Sequence, residues 1–301
     1  MRPKKVLVTG GTGFIGSQLV RELQKRGDDV TVLLRSQGQV ERFSQPIGAV
    51  TWDQPAAACA GQDAVVHLAG EQAVGVRWDE AAKERILSSR VDTTRALVSA
   101  IASADLRPRV LVSASAVGYY GAREGGDLVD ESGVAGSDFL AQVCAQWEAA
   151  AQAAQASDVR VVRARLGVVF GRGGGALQEM AKPFRLFAGG PIASGKQVVS
   201  WVHRADVIGI ILRCIDDESI SGPVNVVAPE PVTQGELAGA IGRVLRRPSW
   251  LRVPGAALRL RFGEGADPLL TGQRVVPARM HDAGYVWQHA DLEAALRQAL
   301  S

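Results

Sequence analysis

The sequence predicts an α/β fold, a doubly wound parallel sheet with a smaller, intercalated C-terminal region. Three observations support this prediction. Apolar β-branched runs alternate with helical patterns in the first half, a glycine-rich turn joins the first run to the first helix, and glycine and proline become frequent after about residue 171. Nearly continuous apolar strands separated by helices are typical of a parallel sheet that is covered on both faces.

The elements of the first half follow in order. We predict strands over residues 5–9, 30–34, 64–69, 109–114 and 159–164, each rich in β-branched residues. We predict helices over residues 16–26, 79–102 and 139–156, where apolar positions recur at helical spacing.

The second half returns to this pattern only once, with a helix over 207–215 and a strand over 224–227. We therefore expect a main domain of residues 1–170 plus about 205–228. Residues 171–204 plus about 229–301 are expected to form a smaller cap, the region where a substrate would be held.

The bulk composition excludes several classes of protein. The chain has 301 residues, of which 47% are hydrophobic and 22% charged, as in ordinary globular proteins. The net charge is only +3 and the basic residues form no long run, so we expect no nucleic-acid partner. No apolar stretch has the length of a membrane span or the pattern of a secretory signal, so we expect a cytoplasmic protein with no membrane partner. Cys59, Cys144 and Cys214 lie far apart, which favours reduced thiols and predicts no metal site.

The turn after the first strand carries the first functional signal. Gly10, Gly13 and Gly16 form a GxxGxxG between a strand and a helix. Glycines at this spacing permit a tight turn, a close approach of the backbone to a pyrophosphate, and an anion at the helix N-terminus. The alternative, a purely structural glycine turn, is disfavoured by this context, so we predict a dinucleotide cofactor.

The end of the second strand indicates which dinucleotide. An acidic residue there would bind the ribose 2′-hydroxyl of NAD, but the strand ends with Arg35 and Ser36. The forked guanidinium suits a 2′-phosphate, so the sequence favours NADP(H), with a solvated surface arginine as the alternative. Asp53 is a candidate to bind the adenine amine, although a plain turn aspartate explains it equally well.

Four motifs give the chain a resemblance to a known family. TGGTGFIG (9–16), HLAG (67–70), SASAVGYYG (113–121) and SWVHRADV (200–207) resemble the extended short-chain dehydrogenase/reductases. SSRVDTTRALV, RLGVVFGRGGGAL and the C-terminal QRVVPARMHDAGYVW are similar to the atypical NAD(P)-dependent epimerase/dehydratase "epimerase family". The C-terminus of that family is a domain of unknown function, and some bacterial members carry a cell-division-inhibitor label. The resemblance covers essentially the whole chain and implies a Rossmann fold that binds NADP(H).

The resemblance also implies a set of cofactor-binding residues. One group would line the pyrophosphate: Gly10, Thr12, Gly13, Phe14, Ile15 and Gly16. Arg35 and Ser36 would meet the 2′-phosphate. A further group would lie beside the ribose and nicotinamide or brace the strands there: Leu68, Ala69, Gly70, Arg90, Ser113, Leu166 and Gly167.

The resemblance fails at the catalytic pair. Related reductases use a serine and a Tyr-x-x-x-Lys, in which the lysine lowers the tyrosine pKa and the tyrosine moves the proton. Ser115 matches the serine, but the matching helix has Leu140 and Cys144 where tyrosine and lysine are expected. None of the three tyrosines is followed by lysine four positions later.

We therefore take the nearest hydroxyls and an imidazole as candidates for the proton donor. Tyr119 and Tyr120 come first because they follow the strand that carries Ser115, and packing of their rings is the equally weighted alternative. His203 comes second because imidazole titrates near neutrality, although a structural hydrogen bond explains a loop histidine better.

Two functions remain open on the sequence alone. One is an NADP(H)-dependent oxidoreductase or epimerase that acts on an unknown small carbonyl or hydroxyl substrate. The other is a catalytically silent NADP(H)-binding sensor or interaction protein. Both monomer and homodimer are compatible with the alanine-rich helices 79–102 and 139–156.

Overall fold

The computed structural model describes residues 2–43, 46–123 and 127–301. Its strands are β1 (Lys5–Thr9), β2 (Asp29–Leu34), β3 (Gly48–Thr51), β4 (Ala64–His67), β5 (Val110–Ala116), β6 (Leu128–Val129), β7 (Arg160–Leu166), β8 (Val168–Phe170), β9 (Val198–Val199), β10 (Trp201–His203), β11 (Gly222–Val226), β12 (Val232–Thr233) and β13 (Arg274–Val275). Its helices are α1 (Gly16–Lys25), α2 (Pro55–Cys59), α3 (Glu80–Ala102), α4 (Phe139–Gln152), α5 (Ala176–Arg185), α6 (Arg204–Asp216), α7 (Gln234–Leu245), α8 (Gly255–Phe262), α9 (Asp267–Leu270), α10 (Ala278–Asp282) and α11 (Leu292–Leu300).

Seven strands form the central sheet in the order β11–β7–β5–β4–β1–β2–β3, and every neighbouring pair is parallel. The order reverses between β1 and β4, since β2 and β3 lie on one side of β1 and the later strands on the other. In sheets of this kind, ligands bind outside the carboxyl ends of the strands at such a reversal.

Side chains alternate between two buried layers because successive residues of a strand point to opposite faces. Val6 and Val8 belong to a core that also contains apolar residues of α1 and α6. Leu7 between them belongs to the opposite core, which contains residues of α2 and α3. The predicted doubly wound parallel sheet is therefore confirmed.

The smaller elements of the second half pack around short pairs of strands. β10 pairs with β8, β9 pairs with β12, and β13 pairs with β6. Helices α5, α7 and α11 share a third core around Phe170, Trp201 and Leu237. Among the described residues, no helix combines the length and apolar character that crossing a bilayer requires.

Several element ends differ from the sequence prediction, and two of the differences have a clear structural reason. β4 stops at His67 instead of Ala69, where Leu68 and Ala69 pass directly against Gly10. The helix expected to reach residue 156 ends at Gln152, and a tight 3₁₀ turn (Ala153–Ser157) completes the segment. Helix ends often tighten in this way.

Candidate functional site

The glycine turn lies at the carboxyl end of β1, beside the point where the strand order reverses. Gly10 has φ +70°, and a Cβ on it would lie 2.7 Å from the Leu68 carbonyl carbon. A Cβ on Gly16 would collide with the Gly10 carbonyl oxygen. These two glycines let the backbone segments touch, which is the packing role expected of the first and third glycine.

Gly13 has a different environment. It is exposed, and a Cβ there would meet one protein atom, the Gly10 carbonyl oxygen, at 3.2 Å. The space above it is therefore where a ligand can approach the backbone closely. The helix N-terminus next to it has Ile15 as its N-cap, with no capping side chain and no acidic residue in the first turn. An uncapped helix N-terminus beside an open glycine suits a pyrophosphate.

The predicted 2′-phosphate residues stand at the same edge of the sheet. Arg35 and Ser36 follow β2 directly and are exposed, and among the described residues no carboxylate pairs with the Arg35 guanidinium. Asp53 follows β3, the neighbouring strand, and accepts a hydrogen bond from Thr51 Oγ1 at 2.8 Å. Together they provide a free cation and a carboxylate on the β2 side of the turn.

A second glycine-rich segment, residues 171–175, encloses the Phe14 ring. A Cβ on Gly174 or Gly175 would lie 2.9 Å or 2.8 Å from that ring. On another side, the Arg204 guanidinium lies 4.5 Å from the ring centroid and donates to the Phe14 carbonyl. The sequence shows the glycines, but only the fold shows that they make room for Phe14 and so pack residues 171–175 against the glycine turn after β1.

The residues expected near the nicotinamide follow β4 and β7. Arg90 donates to the Glu71 carbonyl at 2.7 Å, lies against Gly70, and packs on the Trp147 ring. Burial lowers the pKa of Arg90 below its ordinary value. Arg90 thus holds the segment that contains Leu68, Ala69 and Gly70.

Gly167 directly follows β7, and a Cβ on it would meet the Ser200 carbonyl oxygen at 2.5 Å. Glycine is therefore required where the end of β7 passes the residue that precedes β10. Leu166 and Gly167 are half-buried at this edge. Ser113 belongs to β5 and is 1% exposed, so its side chain is buried against a covered face of the sheet.

Ser115 belongs to a buried ionic network. Its hydroxyl donates to Glu148 Oε1 at 2.8 Å, and the Arg165 guanidinium binds both oxygens of the same carboxylate, at 2.7 Å and 2.9 Å. Burial opposes the charge on Arg165, but the hydrogen bonds and the charge of Glu148 more than offset it and raise its pKa above the ordinary value. The network is nearly inaccessible, since Ser115 is 2% exposed and Glu148 3%.

Both tyrosines lie against the Arg165 guanidinium, and their ring centroids are 5.4 Å apart. The Tyr120 hydroxyl donates to Asn225 Oδ1 at 2.7 Å and accepts from Arg165 Nη1 at 2.8 Å, so it is fully engaged. Burial raises its pKa. Tyr119 is half-buried, and its ring lies 3.5 Å from the Arg165 guanidinium carbon. No described residue forms a hydrogen bond with the Tyr119 hydroxyl.

The helix positions where tyrosine and lysine were expected are filled by apolar packing. A Cβ on Gly118 would lie 3.5 Å from Leu140 Cβ and 3.9 Å from Cys144 Sγ, so both side chains face the turn after β5. Burial raises the pKa of the Cys144 thiol to about 12. A thiol that stays protonated cannot replace the lysine ammonium.

His203 is the N-cap of α6. Its Nδ1 accepts from the Ala205 N–H at 3.2 Å, so the proton lies on Nε2, which donates to Gln298 Oε1 at 2.7 Å. Burial lowers its pKa to about 4, so the ring is neutral near pH 7. Both nitrogens are engaged within the protein, as they are in His67, whose Nδ1 and Nε2 contact Thr9 and Thr94.

The structure therefore brings Ser115, Tyr119 and Tyr120 together at the end of β5, and His203 makes its contacts with α6 and α11. Sequence reasoning missed Glu148, Arg165 and Asn225. A glutamate inside an alanine-rich helix and an arginine in an apolar strand are the available signals, but their pairing depends on the fold. Among the described residues, no group of His, Cys, Asp and Glu side chains is arranged to bind a metal ion. A surface depression of about 320 Å³ lies at the opposite end of the sheet, at Asp29 and Gly48, away from these groups.

Known proteins are similar to this chain over most of its length. Residues 6–227 match the sequence model of the NAD dependent epimerase/dehydratase family, and residues 253–299 match a domain of unknown function, DUF1731. An Arabidopsis thaliana protein named "Epimerase family protein SDR39U1 homolog, chloroplastic" is 42% identical over 299 residues, which span 97% of this chain and 85% of that protein.

Two solved structures extend the comparison. The human epimerase family protein SDR39U1 (isoform 2), crystallised with NADPH, has a TM-score of 0.88 and 38% identity and covers 98% of both chains. The UDP-glucose 4-epimerase of Thermus thermophilus, in complex with NAD, has a TM-score of 0.79 over 98% of this chain and 97% of that one, at 21% identity. The second likeness concerns the fold alone.

Proposed function

The chain belongs to the NAD dependent epimerase/dehydratase family, and from that premise we propose that it binds NADP(H) and acts as an oxidoreductase or epimerase on a small carbonyl or hydroxyl substrate. The observation that carries the cofactor proposal is the open backbone at Gly13 beside an uncapped helix, with Arg35 at the next strand end, where no described carboxylate pairs with it. The human relative crystallised with NADPH is consistent with it.

Each part of the cofactor has residues suited to it. The pyrophosphate fits the turn from Gly10 to Gly16, and the 2′-phosphate fits Arg35 and Ser36. Asp53 is placed to accept from the adenine amine. Leu68 to Gly70 and Leu166 to Gly167 flank the nicotinamide side, and Arg90 fixes the first of these segments.

A titration tests the choice of cofactor. We expect NADPH to bind more tightly than NADH, and Arg35→Gln to weaken NADPH binding by roughly tenfold to a hundredfold, because a charge-assisted hydrogen bond to phosphate is lost. NADH binding should not change. The control Arg95→Gln removes another exposed charge, from α3, and should affect neither cofactor. Equal binding of NADH and NADPH by the wild type would refute the role of Arg35.

For the chemistry we propose Tyr119 as the group that moves the proton. Of the predicted candidates, it is the hydroxyl that the described residues leave unengaged, and Arg165 holds its ring by stacking. Ser115 supports this arrangement through Glu148, since its own proton is donated to that carboxylate. Bound NADP(H) would supply or accept the hydride.

The silent-binder alternative also rests on an observation. Leu140 and the protonated Cys144 fill the helix positions where related enzymes carry the tyrosine and lysine. A protein that only senses or binds NADP(H) needs the cofactor turn and no proton donor. The cytoplasmic location expected from composition remains part of this proposal, and the Arabidopsis relative is named chloroplastic.

Turnover separates the two functions. The purified protein is incubated with NADPH and a panel of aldehydes, ketones and nucleotide sugars, and NADPH absorbance and product formation are followed. We expect turnover that falls at least about a hundredfold in Tyr119→Phe, the usual range for loss of a general acid, with NADPH affinity unchanged. Tyr120→Phe is the control, since it removes a buried hydroxyl one residue away. An equal loss in both variants would reject Tyr119, and an inactive wild type would leave the binding function.

A further inference from the structure

The ends of two helices in the cap region carry a cluster of exposed apolar side chains. Leu186 and Phe187 follow α5 and are 78% and 59% exposed, and Trp250 and Leu251 follow α7 and are 73% and 42% exposed. The two segments run side by side, since Leu251 N donates to the Gly189 carbonyl at 3.1 Å. These four residues form what we call the loop patch.

Arginines surround the loop patch. Arg185, Arg246, Arg247 and Arg252 are exposed, and no ion pair involves any of them among the described residues. The Arg247 guanidinium lies 4.5 Å from the Phe187 ring centroid, so charge and apolar surface are in contact. The sequence contains no acidic residue in 180–205 or in 237–263, the two stretches that build this surface.

One residue of the loop patch and one of the arginines beside it have left-handed backbone conformations. Phe187 has φ +60° and Arg246 has φ +53°, and each stands just after a helix, at a position where glycine is usual. Left-handed backbone is strained for residues with a Cβ. The chain thus has an aromatic ring and a guanidinium at two positions where glycine would be more stable.

From this geometry we propose that the loop patch is an interfacial membrane-binding surface for anionic lipid. The four apolar side chains are 42% to 78% exposed, which suits insertion between lipid headgroups. Tryptophan, phenylalanine and leucine with neighbouring arginines are the side chains that settle at the headgroup level of a bilayer. These arginines form no ion pair among the described residues, so their charges are available to a negatively charged leaflet.

No single stretch of the sequence signals a membrane-binding segment, and the sequence alone therefore predicts no membrane partner. The loop patch is assembled from two stretches about sixty positions apart, each too short to be noticed alone. The proposal is independent of the proposed enzymatic function, because none of these residues belongs to the cofactor or proton-transfer site.

Vesicle co-sedimentation tests the proposal directly. The whole protein is mixed with vesicles of phosphatidylcholine alone or of phosphatidylcholine with phosphatidylglycerol, at low and at raised salt. We expect binding to the mixed vesicles, little binding to phosphatidylcholine, and release by salt. Trp250→Ser should weaken binding by about tenfold or more, and Arg246→Gln and Arg247→Gln by about fivefold each.

Two controls keep the outcome decisive. Leu106→Ser and Arg95→Gln remove an exposed apolar residue and an exposed charge elsewhere and should bind as the wild type does. Thermal unfolding and NADPH binding of all variants should match the wild type, because the altered side chains are exposed. Leu186→Ser repeats the Trp250 test if that variant misfolds. No preference of the wild type for anionic vesicles, equal losses in the controls, or binding to polyglutamate but not to vesicles would each overturn the proposal.

Discussion

Replacing Arg165 by methionine tests the buried network beneath the candidate site. The substitution keeps much of the side-chain volume but removes the charge. Glu148, which is only 3% exposed, then loses the guanidinium that binds both of its carboxylate oxygens. Removal of one member of a buried ion pair costs about 3–5 kcal/mol, because the remaining charge has lost both water and partner. We expect the upper half of this range, since Tyr120 also loses a donor and Tyr119 the cation on its ring.

Urea unfolding at neutral pH, followed by fluorescence and circular dichroism, measures this loss. With a slope of about 1–3 kcal/mol per molar urea, the midpoint should fall by roughly 1 M or more. Arg163→Met is the control, because Arg163 lies on the same strand, is 20% exposed and reaches Glu148 at only 3.4 Å. Its loss should be about 1 kcal/mol or less. If the two variants are equally destabilised, the Arg165–Glu148 pair does not organise this region as described.

Two further predictions concern stability. Burial lowers the pKa of His67 and of His203 to about 4, so between pH 6.5 and 4 the unfolded chain binds protons that the folded chain does not. The free energy of unfolding should therefore fall as pH falls through this window, by about 2 kcal/mol for each histidine at pH 5. His203→Asn can still cap α6, so it should reduce the difference between urea unfolding at pH 7 and at pH 5. An unchanged difference would contradict the assignment to His203. Gly10→Ala should unfold at a markedly lower temperature and lose NADPH binding, because its Cβ meets the Leu68 carbonyl. The control is Gly27→Ala, where φ is +84° and no atom lies within 4 Å of the added Cβ, so it should cost only about 1 kcal/mol. Equal melting temperatures of the two variants would show that the close approach at Gly10 is unimportant.

The parts of the fold that the sequence predicts are those specified locally. β1 and α1 were predicted from a β-branched run, three spaced glycines and helical periodicity, and these signals all lie within about twenty residues. Arg35 at the end of β2 was placed in the same way, because strand ends in a parallel sheet share one edge. The two-residue period of a strand also suffices to place Val6 and Leu7 on opposite faces.

The hydrogen-bond network around Ser115 could not be predicted from the sequence, for a physical reason. Glu148 comes from α4, Arg165 from β7 and Asn225 from β11, and each is an ordinary residue in its own segment. Their pairing is decided by the register of three parallel strands and by the rotation of one helix. The sequence shows leucine at 140 and cysteine at 144, where the resemblance leads tyrosine and lysine to be expected, but it gives no means to find which buried groups surround these positions.

The hydrogen bonds between residues 273–279 and earlier parts of the chain have a consequence for folding during synthesis. Glu131 accepts from the backbone of both Asn225 and Arg279, Ser200 bonds to Gln273 and Val275, and Gln273 donates to the Val117 carbonyl. On the ribosome, the groups at the earlier positions are synthesised long before their partners leave the exit tunnel. Contacts this distant in sequence form late and slowly. The β5 end, including Tyr119 and its neighbours, therefore stays incompletely enclosed until synthesis is finished, and a nascent chain stalled before residue 273 would present that edge to chaperones instead of to a cofactor.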